Sequence, residues 1–134
     1  MKWKQKVVKI QLVRSKAWIA DQCTVAESFF SRMKGLIGTK KIELGQGLLL
    51  NPCNDIHMWF MTIPIDIVFI RPIQKTQNDC LTTEVRAKVV SFKKEIRPWK
   101  LLPVRDGKAT QTLELPVGTI ERCNLQVGDE LCIS

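Results

Sequence analysis

Residues 56–70 read Ile56-His57-Met58-Trp59-Phe60-Met61-Thr62-Ile63-Pro64-Ile65-Asp66-Ile67-Val68-Phe69-Ile70. A proline lacks the N–H that a strand ladder needs, so Pro64 divides this apolar run into two extended segments, 56–61 and 65–71. The run carries the chain's single histidine, His57, and one acidic residue, Asp66. A carboxylate among apolar neighbours is costly to bury unless something pairs with it. Asp66 therefore either bonds backbone at a turn or belongs to a site.

The flanking sequence supplies more strands. Val7 to Val13 alternates, with Val8, Ile10 and Leu12 on one parity. Residues 17–23, 48–50, 85–93, 110–115 and 131–133 read as further short strands, and 95–104, with prolines at 98 and 103, as irregular. Thr24-Val25-Ala26-Glu27 has the form of a capping box. Ala26, Phe29, Phe30 and Met33 follow at helical spacing, with Gly35 and Gly38 as stop signals. The expectation is one main helix over about 25–36 and a short helical turn over about 117–123. The fold class is thus α+β, mostly antiparallel β, as a small barrel or strongly curved sheet that closes on itself to protect its edges. A chain of 134 residues with 45% apolar content fits a single domain, 1–134.

Composition narrows the partners. No apolar run reaches the roughly eighteen residues of a membrane-spanning helix. The basic start, Met1-Lys2-Trp3-Lys4, leads into a charged alternating segment, not an apolar signal core. Cytoplasmic placement is the expectation. The five cysteines, at 23, 53, 80, 123 and 132, form no C-x-x-C pair, so reduced core thiols are expected. Cys53 and His57 have a spacing that a metal tolerates, but structural zinc needs four ligands. No metal or cofactor is expected.

The net charge is +8, and it is uneven: residues 1–16 hold six basic groups and no acidic one. A basic face made of Lys2, Lys4, Lys6 and Lys9 with Lys93, Lys94, Arg97 and Lys100 would suit nucleic acid. Lys2, Lys4 and Lys6 share strand parity and would form one stripe. Lysines on strands also serve simply to keep edges soluble and unpaired.

Several segments, in order, resemble one known family, the domain-of-unknown-function family 192. They are Ser31-Arg-Met-Lys-Gly-Leu-Ile-Gly38, Gly45-Gln-Gly-Leu-Leu-Leu50, Ile56-His57 and Phe60-Met61-Thr-Ile-Pro64-Ile-Asp66-Ile-Val-Phe69. Pro98-Trp99-Lys100, Leu113-Glu114-Leu115-Pro116-Val-Gly118 and Val127-Gly128-Asp129 complete the set. Thr62 stands where the family commonly has a basic residue, and Val117 where alanine is usual. The resemblance implies a compact barrel-like domain whose most characteristic parts are the Phe-Met…Pro-x-Asp and Glu-Leu-Pro-x-Gly segments. It implies no activity.

Three functional readings follow. In the first, His57, Trp59, Phe60, Met61 and Trp99 line an apolar cleft in which Asp66 and Glu114 orient a small molecule or an extended peptide. In the second, the basic face binds nucleic acid. In the third, His57, Asp66 and Glu114 perform acid–base chemistry, which requires that they reach one another. No Walker A, G-x-G-x-x-G or G-x-S-x-G motif is present. The residues favour a binding module over an enzyme.

Overall fold

The computed structural model describes residues 5–27, 41–56, 61–73, 84–98 and 103–134. Seven strands close into a barrel in the order β1-β2-β3-β8-β5-β6-β9. They are β1 Lys6–Leu12, β2 Trp18–Ala26, β3 Gln46–Leu50, β5 Ile65–Pro72, β6 Val85–Ile96, β8 Gln111–Leu115 and β9 Glu130–Ile133. Every neighbouring pair is antiparallel except β2 and β3, which run parallel. A parallel pair needs a long crossover, and residues 27–45 supply the length. A separate two-stranded flap pairs β4, Asp55–Ile56, with β7, Val104–Arg105. One short helix, α1, spans Thr119–Arg122, inside the expected 117–123.

β5 is where the sequence pattern acquires its meaning. Its first six residues, Ile65 to Ile70, are all buried. Alternate side chains enter two separate cores. Val68 and Ile70 join Ile10, Ala20, Leu113, Leu115 and Leu131 inside the barrel. Ile65, Ile67 and Phe69 face outward and join Leu48, Leu50, Ile56, Met61 and Val104 in a second apolar layer. The flap supplies Ile56 and Val104 to that layer. A strand buried on both faces has no solvated side to mark with polar residues, and so reads as a continuous apolar run. β3 and β8 are buried the same way.

The structure departs from the sequence expectations in definite places. Val25 and Ala26 are strand, not helix: they pair with Leu49 and Leu50 of β3. Thr24 lies within β2 opposite Val7 and Leu48, so it caps nothing. β-branched Thr24 and Val25 suit a strand, and the ladder to β3 overrides the local capping pattern. The remainder of the expected main helix, 28–36, lies outside the described residues; among those described, helix is confined to α1. The expected strand 56–61 is strand at Ile56, while Met61 is not in a strand. β6 extends to Ile96, through residues expected to be irregular, and β7 forms a two-residue strand in the same region.

Cys23, Cys53 and Cys123 are free thiols, and Cys80 lies outside the described residues. Burial pushes the Cys23 thiol up to about 12, so it is a core residue without nucleophilic character.

Candidate functional site

Asp66 faces the barrel interior at the end closed by α1. It is 1% exposed. Its Oδ1 accepts the Glu95 N–H at 2.8 Å, and its Oδ2 accepts the N–H groups of Gly118 at 3.2 Å and Ile120 at 3.1 Å. One carboxylate thus ties β5 to β6 and to the start of α1. Two of its three backbone attachments lie in unusual conformations. Glu95 has φ 50°, and Gly118, the residue that enters α1, has φ 94°. At Gly118 a side chain would meet no neighbour, so the backbone angle alone calls for glycine there.

Glu114 sits in the adjacent strand but on the other face. Asp66 stands directly opposite Leu115, and Glu114 opposite Ile67. Opposite residues share a face and successive residues alternate. Asp66 therefore points with Leu115 into the barrel, and Glu114 points with Ile67 and Leu48 into the outer layer. The two carboxyls do not converge on one cleft or one reacting atom. Glu114 is 4% exposed. Among the described residues its Oε2 has no hydrogen-bond partner. Removal from water pushes its carboxyl up to about 8.

Met61 is buried in the outer layer beside Ile65 and Ile67, as core and not as the wall of an open cleft. The aromatic members of the expected cleft, Trp59, Phe60 and Trp99, lie outside the described residues, as does His57. The Cys53 thiol is engaged with the Asp55 carbonyl oxygen at 3.2 Å. Among the described residues no three His, Cys, Asp or Glu side chains gather where a metal could sit.

Of the expected basic face, Lys6, Lys9, Lys93, Lys94 and Arg97 fall among the described residues. Lys6 is exposed at the start of β1, on the parity of inward Val8 and Ile10, whereas Lys9 takes the outward parity. The stripe expected from parity with Lys2 and Lys4 thus cannot be continued along β1, because the next positions on it enter the core. Lys2, Lys4 and Lys100 lie outside the described residues. Lys93 and Arg97 are exposed, and Lys94 bridges to Glu121 at 3.0 Å.

An open groove occupies the same barrel end as the Asp66 clamp. It is shallow and open to solvent, offers about 380 Å³ and is lined by Lys41, Ile42, Leu44, Ile63, Pro64, Pro116 and Val117. Pro64 and Pro116 flank neighbouring strands, β5 and β8, and mark where each ladder stops. Leu44 is 64% exposed and Val117 38%. Lys41 at the rim bridges to Glu43 at 3.2 Å, an exposed pair worth little in water. Asp66 lines none of this surface. It fixes the wall from behind, by bonding Gly118 next to Val117. Ile42, Leu44 and Ile63 escaped the sequence reading. The available signal was the pair of strand-ending prolines, each in one of the two family-like segments.

A closed small β barrel with an outer apolar layer and an end groove defines the architectural class. Within that class the chain belongs to the family DUF192, an uncharacterized ACR, whose family model matches residues 10–133. A UPF0127 protein of Thermococcus sibiricus is 29% identical over 126 residues, covering 91% of this chain and 71% of the relative. Two solved structures share the fold. A protein of unknown function from Novosphingobium aromaticivorans has a TM-score of 0.72 at 17% identity, over 95% of this chain and 84% of its own. A chain from Sinorhizobium meliloti described as a candidate transcription regulator also has a TM-score of 0.72, at 19% identity, over 98% of this chain and 95% of its own.

Proposed function

We propose that the protein is a binding module that takes an apolar ligand, a small molecule or a short extended peptide segment, in the groove at the Asp66 end of the barrel. The observation that carries this reading is the groove itself. Its volume falls within the range of ligand sites, and apolar side chains from three separate segments form its walls. An unshielded Leu44 and Val117 gain most from being covered. Asp66 contributes by holding the Pro116–Gly118 wall in place before a ligand arrives, which lowers the ordering cost of binding.

The test is a thermal-shift screen with metabolites, apolar peptides and short oligonucleotides at low and high salt. A ligand specific for the native state raises the melting temperature. The shift is expected to persist at high salt and to be lost in Val117→Glu, whose exposed position leaves the fold intact. A charge placed against an apolar ligand is expected to weaken binding at least about tenfold. Shifts given only by oligonucleotides and abolished by salt would overturn the groove reading and move the function to the basic face, since phosphate contacts weaken steeply with salt.

A further inference from the structure

We propose that the solvated outer face shared by β2, β1, β9, β6 and the end of β5 is a second binding surface, for single-stranded nucleic acid, on which Trp18 stacks against a base while Lys9, Arg71, Arg86 and Lys88 contact phosphates.

The pairing registers assemble this face. Its members occupy the positions that alternate with the buried side chains of β1, β9 and β6. One cross-strand row runs Trp18, Gln11, Cys132, Arg86. The next row along β6 runs Glu130, Lys88, Arg71. On the other side of the first row Lys9 lies beside Ser134, each backbone N–H donating to the other's carbonyl oxygen at 2.9 Å. Neighbouring strands lie about 4.8 Å apart, which puts Trp18 and Arg86 about 14 Å from each other. That span matches the short end of single-strand sites, roughly four nucleotides. None of these residues lines the groove, so binding here is independent of binding there.

The chemistry of the face selects its occupant. Elsewhere the outside of the barrel is covered by the second apolar layer. Here Lys9, Arg71 and Lys88 are exposed, and Trp18 is 47% exposed. Cations guard the edge strands of open sheets, but a closed barrel leaves no edge here to guard. Among the described residues Lys9, Arg71 and Lys88 make no ion pair, and Arg86 approaches Glu130 only to 3.9 Å, beyond hydrogen-bond range. Two further basic residues flank Trp18. Arg122 Nη1 donates to the Trp18 carbonyl oxygen at 3.3 Å, and the Lys16 carbonyl accepts from Gln11 Nε2 at 2.7 Å. Against them on this face stand Glu130 and the carboxylate at Ser134. The other nearby acids are engaged elsewhere: Asp21 leans over Gly45, Asp129 holds Arg14, and Glu121 holds Lys94. The surplus is positive and attracts a polyanion. The exposed indole adds a flat stacking surface, and every base has a π-face to lay on it. Bases in a duplex are already stacked on one another, so the strand that fits is single.

Fluorescence anisotropy of a labelled oligothymidylate of about twelve nucleotides, beside a labelled duplex of equal length, tests this on the intact chain. The single strand is expected to bind about tenfold more tightly than the duplex. Trp18→Ala is expected to remove about that factor, and Trp18→Phe to keep most of the affinity, because a base stacks on any aromatic ring. Both variants retain the backbone carbonyl that Arg122 bonds. Should Trp18→Ala fail to fold, the salt dependence decides. Replacing the exposed Arg71 and Lys88 together with alanine is expected to lower the slope of log affinity against log salt by about 1.4, or about 0.7 per lost phosphate contact. Replacing Lys93 and Arg97, which lie off this face, is expected to leave the slope unchanged. No saturable binding, a duplex bound as tightly as the single strand, affinity indifferent to a folded Trp18→Ala, or equal slope losses from the two pairs would each overturn the proposal.

Discussion

Replacing Asp66 with alanine is expected to lower the melting temperature by roughly 10–20 °C, the largest single effect on this fold outside a core truncation. The substitution removes one acceptor group and strands three buried or half-buried N–H groups, those of Glu95, Gly118 and Ile120. Hydrogen bonds to an ionised group contribute about 1.5–3 kcal/mol each, and a stranded donor keeps its desolvation cost. Non-additivity within one carboxylate brings the sum to about 3–5 kcal/mol. In a domain of this size each kcal/mol moves the midpoint by a few degrees. Asp66→Asn is expected to lie between wild type and Asp66→Ala, because the amide retains one acceptor oxygen and turns an NH₂ toward backbone donors. The loss should also reach the groove: with Gly118 untethered, the Pro116–Val117 wall is no longer fixed, and affinity is expected to fall in conditions where the protein is still folded. Calorimetric melting of the three proteins, with a ligand titration well below the midpoint, checks both parts. A melting temperature within a degree or two of wild type for Asp66→Ala would show that the clamp does not hold the barrel end.

Glu114→Gln is expected to stabilise the protein, by an amount that depends on pH. The folded carboxyl is pushed up to about 8 by burial, against an ordinary value of 4.5. Between those values the folded state retains a proton that the unfolded state has released. Wild-type stability therefore falls as pH rises from about 4.5 to about 8, and flattens above it. The maximum slope is about 1.4 kcal/mol per pH unit, which bounds the total loss at about 5 kcal/mol. Glutamine carries no ionisable proton and nearly matches the volume of the neutral acid. The two proteins should have similar stabilities near pH 4.5 and diverge progressively toward pH 8, with the variant the more stable. Denaturant unfolding at several pH values measures this. A constant difference across the range would mean that Glu114 is already ionised in the folded protein.

How much of this was legible in the sequence depended on the distance between partners. The 65–71 strand and its boundary at Pro64 could be read locally, because a doubly buried strand and a proline break both leave marks in adjacent residues. The parallel pairing of β2 with β3 could not. Thr24, Val25 and Ala26 suit a strand locally but stand at the head of a helical pattern, and only Leu48, Leu49 and Leu50 decide between them. Asp66 was recognisable as anomalous, and hydrogen bonding to backbone was one of its two readings. Its actual partners lie 29, 52 and 54 residues away, beyond any local turn motif. Alternation placed Glu114 correctly on the face opposite Leu113 and Leu115. It did not reveal that this outward face is dry, because the layer covering it comes in part from a flap of two two-residue strands. The groove escaped altogether, being assembled from strand ends and loop residues that carry no periodic signal.

The central claim, that the groove at the Asp66 end binds an apolar ligand, is tested most directly by chemical-shift mapping during titration with ligands found by the thermal screen. The account predicts saturable shifts concentrated at Ile42, Leu44, Ile63 and Val117, insensitive to salt and abolished by Val117→Glu. Shifts concentrated instead at Lys9, Lys93 and Arg97 and erased by added salt would contradict it.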